Sequence, residues 1–76
     1  MRVYVNSVGL DLPDGATALD AVRAWNTTAA DDVAAGERVI ADSRGLPTSP
    51  ETRAHGGAIF RVLPVRRRDD RGEPND

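Results

Sequence analysis

The sequence predicts an α+β fold in which one helix packs across a mixed sheet of four or five strands. Three observations predict it. Residues 1–12 contain two short runs in which apolar and polar side chains alternate, as in half-buried strands. After Thr17, apolar residues recur at helical spacing, and residues 58–63 form an apolar run near the end of the chain. We expect the domain to span residues 1–65, followed by a disordered, charged tail at residues 66–76.

The N-terminal residues predict a β-hairpin. In Met1–Asn6 the two valines share one face, while Arg2 and Tyr4 share the other. Asn6 and Ser7 supply a tight polar turn. A second alternating run follows, with three apolar side chains on one face: Val8, Leu10 and Leu12.

The next element is a helix. Thr17 with Asp20 three residues later is a variant of the capping box, so the helix begins at about Ala18 and ends at Thr27 or Ala29. Its large apolar side chains fall on one side: Leu19, Val22 and Trp25. Trp25 could be a platform for a ligand, but we expect it to be the main core residue. Residues 29–35 either continue the helix or form a second short turn, and Gly36 ends whichever forms.

Three further strands are predicted. Residues 38–41 form one, and residues 46–50, which contain two prolines, form a short strand at an edge of the sheet. Residues 58–63 are richly apolar and are expected to form a central strand that ends near Pro64. If Phe60 and Val62 point inward with the first-strand valines, then Tyr4 and Arg61 lie on the outer face of the sheet.

Composition narrows the class of function. The chain has no cysteine and a single histidine, His55, so no disulfide is possible and we expect no metal site or bound cofactor. A domain this small holds one modest core, which argues for a carrier or binding module and against an enzyme with catalytic residues of its own. No apolar run approaches the ~20 residues that span a bilayer. We therefore expect a cytoplasmic monomer that binds neither membrane nor nucleic acid, since Asp69 and Asp70 offset the arginines at residues 66–68.

The opening of the chain resembles the ThiS/MoaD-type sulfur carriers of the β-grasp (ubiquitin-like) family. The resemblance lies in Met1–Asn6 and Leu12–Leu19, and Gly57–Val62 is similar to the family's last strand. It covers about residues 1–65 and is strongest in the first 25. It implies a β-grasp fold with the first and last strands adjacent at the centre of the sheet.

One feature of that family is missing. In sulfur carriers the chemistry occurs at a C-terminal diglycine, whose carboxylate an adenylating enzyme activates with ATP. Counted from the last strand, the diglycine would fall near Arg67 and Arg68, and the only glycine in the tail is Gly72. The chain as written is therefore not an ordinary thiocarboxylate carrier.

Two functions follow from the resemblance, and both need a protein partner. The first is a diverged sulfur-carrier relative that acts as a protein-interaction module. Its contacts would come from the outer face of the sheet and the start of the tail: Tyr4, Arg61, Val65 and Arg66. The alternative is a ubiquitin-like modifier precursor, in which a protease removes Glu73–Asp76. An adenylating enzyme would then activate the new end, Arg71-Gly72.

Overall fold

The computed structural model describes residues 1–65, so the predicted tail lies outside the described residues. The described part contains five strands and two helices: β1 Arg2–Val5, β2 Val8–Asp11, α1 Ala18–Trp25, α2 Thr27–Ala34, β3 Arg38–Ala41, β4 Pro47–Thr48 and β5 Ile59–Pro64. The strands form a single sheet in the order β2-β1-β5-β3-β4. β1 and β5 are parallel, and the other neighbours are antiparallel. The predicted α+β fold with a mixed sheet is confirmed, and β5 is its central strand.

The N-terminal hairpin forms as predicted. Asn6 and Ser7 both have positive φ values, 49° and 72°, which is the conformation of a two-residue type I′ turn. Asparagine tolerates this left-handed region better than most residues, which explains its position at the first turn residue. The turn places Val5 opposite Val8 and Tyr4 opposite Gly9.

The prediction of a single helix is wrong, because the helical region breaks at Asn26. This residue has an extended backbone with φ −164° and ψ 116°, and its N–H donates to the Val22 carbonyl at 2.7 Å, which ends α1. Its side-chain Oδ1 accepts from the Ala29 N–H at 3.0 Å, which begins α2. Asn26 is thus the C-cap of one helix and the N-cap of the next. As predicted, Gly36 follows the second helix with φ 82°.

The N-terminus of α1 is fully capped. The Thr17 hydroxyl accepts from the Asp20 N–H at 3.1 Å, and the Asp20 carboxylate accepts from the Thr17 N–H at 3.0 Å, so the predicted capping box is confirmed. The next two donors, at Ala18 and Leu19, bond the carbonyls of Thr52 and Pro50. With these donors occupied, the helix start offers no site for an anion.

The core lies between the helices and one face of the sheet. The sheet contributes its large buried side chains: Val3, Val5, Ile40, Phe60 and Val62. The helices contribute mainly small ones: Ala18, Ala21, Val22, Ala29, Ala30 and Val33. Because alanines face the sheet, the helices approach it closely and leave no central place for a tryptophan. Trp25, at the end of α1, is only half-buried against the edge of this core, so Phe60 is the main core aromatic and the expectation for Trp25 is wrong.

Val8 also departs from the expected pattern. It shares the inner side of β2 with Leu10, yet 45% of its surface is exposed because it lies beside the hairpin turn in an edge strand. Neither of the two helices within residues 1–65 has the length and apolar character needed to cross a membrane.

Candidate functional site

The sheet has one covered face and one open face. Along β5 the buried residues Phe60 and Val62 alternate with the exposed residues Ile59, Arg61 and Leu63. Alternation of this kind means that the second set points away from the helices. The outer face of the sheet is therefore a candidate binding surface.

Two pairs of apolar side chains are exposed on this outer face. The parallel register places Tyr4 of β1 beside Ile59, and the antiparallel register places Val39 of β3 beside Leu63. The exposed fractions are 37% for Tyr4, 41% for Val39, 47% for Ile59 and 39% for Leu63. These are four of the six large apolar residues that are exposed in the described part of the chain. The two pairs lie on three adjacent strands and are separated along β5 by one outward-facing residue; together we call them the apolar stripe.

Arg61 lies between the two pairs. It is two residues from Ile59 and two from Leu63 along β5, so each pair is roughly 7 Å from it along the strand. Its neighbour on β3 is Ala41, which is buried, whereas Arg61 itself is exposed. None of the ion pairs within residues 1–65 includes Arg61. We call the five residues Tyr4, Val39, Ile59, Arg61 and Leu63 the outer patch.

Gly9 shapes one border of the outer patch. A Cβ atom at this position would lie 3.0 Å from Nη1 of Arg2 and 3.3 Å from Cε2 of Tyr4. The missing side chain therefore lets Arg2 and Tyr4 lean across β2. Arg2 also bonds Asp11 through Nε at 2.9 Å, so its charge is already paired. A glycine inside a strand is a sequence signal for such a close approach.

The sequence-predicted site residues are only partly brought together. Tyr4 and Arg61 share the outer face, as predicted from alternation. Val65 follows β5, is half-buried, and donates its N–H to the Glu37 carbonyl at 3.1 Å. Arg66, Arg71 and Gly72 lie outside the described residues. The exposed side chains of Val39, Ile59 and Leu63 were not predicted, although the residues on both faces of β5 are apolar in sequence.

A cleft lies at the end of the sheet, beside the β3–β4 turn. This open cleft has a volume of about 370 Å³, and its polar lining includes Asp42, Arg44 and His55. Arg44 is paired with Asp42 at 3.6 Å. Within residues 1–65 no three histidine, cysteine or acidic side chains come together as metal ligands. The acidic and basic side chains of this cleft, Asp42 and Arg44, pair with each other within the β3–β4 turn. The outer patch is therefore the stronger candidate site.

Asp42 makes the β3–β4 turn sensitive to acid. Its Oδ1 accepts from the N–H groups of Arg44 at 2.8 Å and Leu46 at 3.0 Å. The Leu46 hydrogen bond is the main cause that lowers the pKa of Asp42 below its ordinary 3.8, and Arg44 adds to it. A carboxyl with a lowered pKa in the folded state stabilises the fold above its ordinary pKa, and that stabilisation is lost as pH falls through the lowered value.

We therefore predict that Asp42→Asn loses less stability on acidification than the wild type. The measurement is the urea midpoint of both proteins as the pH is lowered from neutral through the lowered pKa of Asp42. The asparagine keeps one acceptor oxygen but has no proton to gain. Parallel pH profiles for the two proteins would contradict this role of Asp42.

Comparison of the chain with protein-family models, curated proteins and solved structures finds no match. The candidate site therefore rests on the geometry of the outer patch, and the family resemblance of the opening motif stays a prediction.

Proposed function

We propose that this chain is a protein-interaction module of the β-grasp (ubiquitin-like) type, diverged from the ThiS/MoaD-type sulfur carriers, that binds a protein partner through the outer patch. The observation that carries the proposal is the concentration of exposed apolar side chains on one open sheet face. Exposed apolar side chains that cluster on one face are a mark of interaction sites, because burying them against a partner is favourable.

The topology supports the β-grasp part of the proposal. An N-terminal hairpin and a last strand beside β1 in the interior of the sheet are features that the resemblance implies, and these two strands pair in parallel. Non-covalent binding fits the tail sequence, because arginines stand where the carriers have their diglycine.

The test is a double substitution in the outer patch, Ile59→Thr with Leu63→Thr. Threonine is β-branched and suited to strands, so the fold should persist. We expect partner affinity to fall by more than ten-fold, since each buried aliphatic side chain contributes about 1.5–3 kcal/mol. The matched control is Val8→Thr with Leu46→Thr, which changes two exposed apolar residues outside the patch.

The three proteins would be compared by the partner that each retains from native-host lysate, and then by calorimetric titration with that purified partner. Retention by wild type and control, with loss in the patch variant, supports the proposal. Equal retention by all three proteins, or by none of them, contradicts it.

A modifier precursor is the second candidate, and the position of Gly72 favours it. Gly72 lies eight residues after Pro64, the end of β5, and eight extended residues reach at most about 26–29 Å. Such a reach could carry the end of a processed chain into the site of an adenylating enzyme that uses ATP. Intact mass of the untagged protein from its native host distinguishes the two. Loss of residues 73–76, or a heavier species joined through Gly72, identifies a modifier, whereas one full-length mass leaves the binding module.

A further inference from the structure

We infer that the outer patch recognises a short protein segment that presents one Asp or Glu carboxylate between two apolar side chains. This inference rests on the proposed binding function and names the chemistry of the partner. It is carried by the placement of a cation without a carboxylate partner inside the apolar stripe.

The partner must supply a hydrogen-bond acceptor for the Arg61 guanidinium. Among residues 1–65, four arginines form ion pairs with aspartates: Arg2 with Asp11, Arg23 with Asp20, Arg38 with Asp32, and Arg44 with Asp42. Two arginines of this part of the chain, Arg53 and Arg61, have no such pair. Arg53 lies in the loop before β5, whereas Arg61 lies between the Tyr4–Ile59 and Val39–Leu63 pairs.

Burial of the apolar stripe would also remove water from Arg61. A guanidinium left without an acceptor after desolvation weakens the complex, so a purely apolar partner fits poorly. A carboxylate accepts two parallel hydrogen bonds from a guanidinium, and the attraction grows as water is excluded. The occupant should therefore carry an acidic side chain at the centre of its contact surface.

The spacing of the patch defines the rest of the segment. Ile59 and Leu63 are roughly 13 Å apart along β5, with Arg61 midway between them. Alternate side chains of an extended segment are also roughly 7 Å apart. A segment with an apolar, an acidic and a second apolar residue at alternate positions would match Ile59, Arg61 and Leu63 in turn.

The patch is less suited to the two other occupants. In a two-fold dimer each patch would meet its own copy, which brings the two Arg61 side chains together with no carboxylate on either patch. Nucleic acid needs a track of cations, but Arg61 is flanked by apolar side chains and the nearby Arg2 is paired with Asp11.

The test begins with selection of a displayed random peptide library against the full chain. We expect the enriched peptides to carry Asp or Glu with apolar residues two positions away on each side. Their binding would be mapped by amide chemical shifts, which should change at Tyr4, Ile59 and Leu63. For a selected Glu peptide, the Glu→Gln version should bind about ten-fold more weakly.

Protein variants complete a double-mutant cycle. Arg61→Met should bind the Glu and Gln peptides equally and weakly, while the matched control Arg53→Met should keep the ten-fold preference. The peptide change alters no residue of the protein, so the carboxylate requirement can be read even if Arg61→Met fails to fold.

The outcomes separate the two proposals. No enrichment, or peptides that bind away from the patch, would overturn the binding face together with this inference. Peptides that bind the patch without a preference for Glu over Gln would overturn only the partner chemistry. Sedimentation that shows a dimer closed through the patch would identify a second copy as the occupant and overturn the inference.

Discussion

Replacing Phe60 with alanine is expected to lower the free energy of unfolding by about 3–5 kcal/mol. Phe60 is 5% exposed in the central strand and is the main aromatic of the core. Alanine would leave a cavity that the surrounding valines and Ile40 fill only in part. A domain of this size has a total stability of roughly 3–10 kcal/mol, so the variant should be largely unfolded or close to it.

Urea titration followed by circular dichroism measures this effect. The matched control is Ile59→Ala, one residue earlier in the same strand, whose side chain is 47% exposed on the outer face. We expect the control to lose well under half as much stability, because its side chain is already partly in water. Equal losses for the two variants would mean that the two faces of β5 are assigned wrongly.

Replacing Asn6 with alanine is expected to lower the free energy of unfolding by about 2–4 kcal/mol. The Asn6 N–H donates to the Phe60 carbonyl at 3.0 Å, which continues the pairing of β1 with β5. The chain then turns with φ 49°, and Oδ1 of the Asn6 side chain accepts from the Val62 N–H at 3.0 Å. Alanine would leave that part-buried donor unpaired and would also be strained in the left-handed region.

Two further variants separate the two causes. Asn6→Gly accepts the positive φ but loses the hydrogen bond, whereas Asn6→Asp keeps an acceptor oxygen for the Val62 N–H. The expected order of stability is therefore Asp above Gly above Ala, measured by urea midpoints at neutral pH. A glycine variant as stable as the wild type would show that the side-chain bond contributes nothing.

Local patterns predicted several elements well. Residues 38–41 were predicted as a strand and form one with those bounds. The hairpin turn, the capping box at Thr17 and the glycine after α2 were also predicted. Each depends on side-chain alternation or on hydrogen bonds between residues close in sequence, so the information lies in a few neighbouring positions.

Local sequence patterns did not predict the second helix. The first helix was expected to end at Thr27 or Ala29, and residues 29–35 fitted either a continued helix or a second short turn. The buried residues Ala29, Ala30 and Val33 give the second helix a face that packs into the core. The size of Trp25 suggested a central position, whereas its place at the end of α1 puts it at the margin.

The outer patch was likewise predictable only in part. Alternation, together with the expectation that Phe60, Val62 and the first-strand valines point inward, placed Tyr4 and Arg61 on the outer face, because successive side chains of a strand point to opposite faces. The tertiary structure decided that β5 lies between β1 and β3, which brings the Tyr4–Ile59 pair and the Val39–Leu63 pair to either side of Arg61. That arrangement depends on contacts such as Asn6 with Val62, which are 56 residues apart in sequence. The sequence by itself thus determined which way each side chain points within its strand. Only the tertiary structure determined which strands are neighbours, because pairing is set by packing between distant segments.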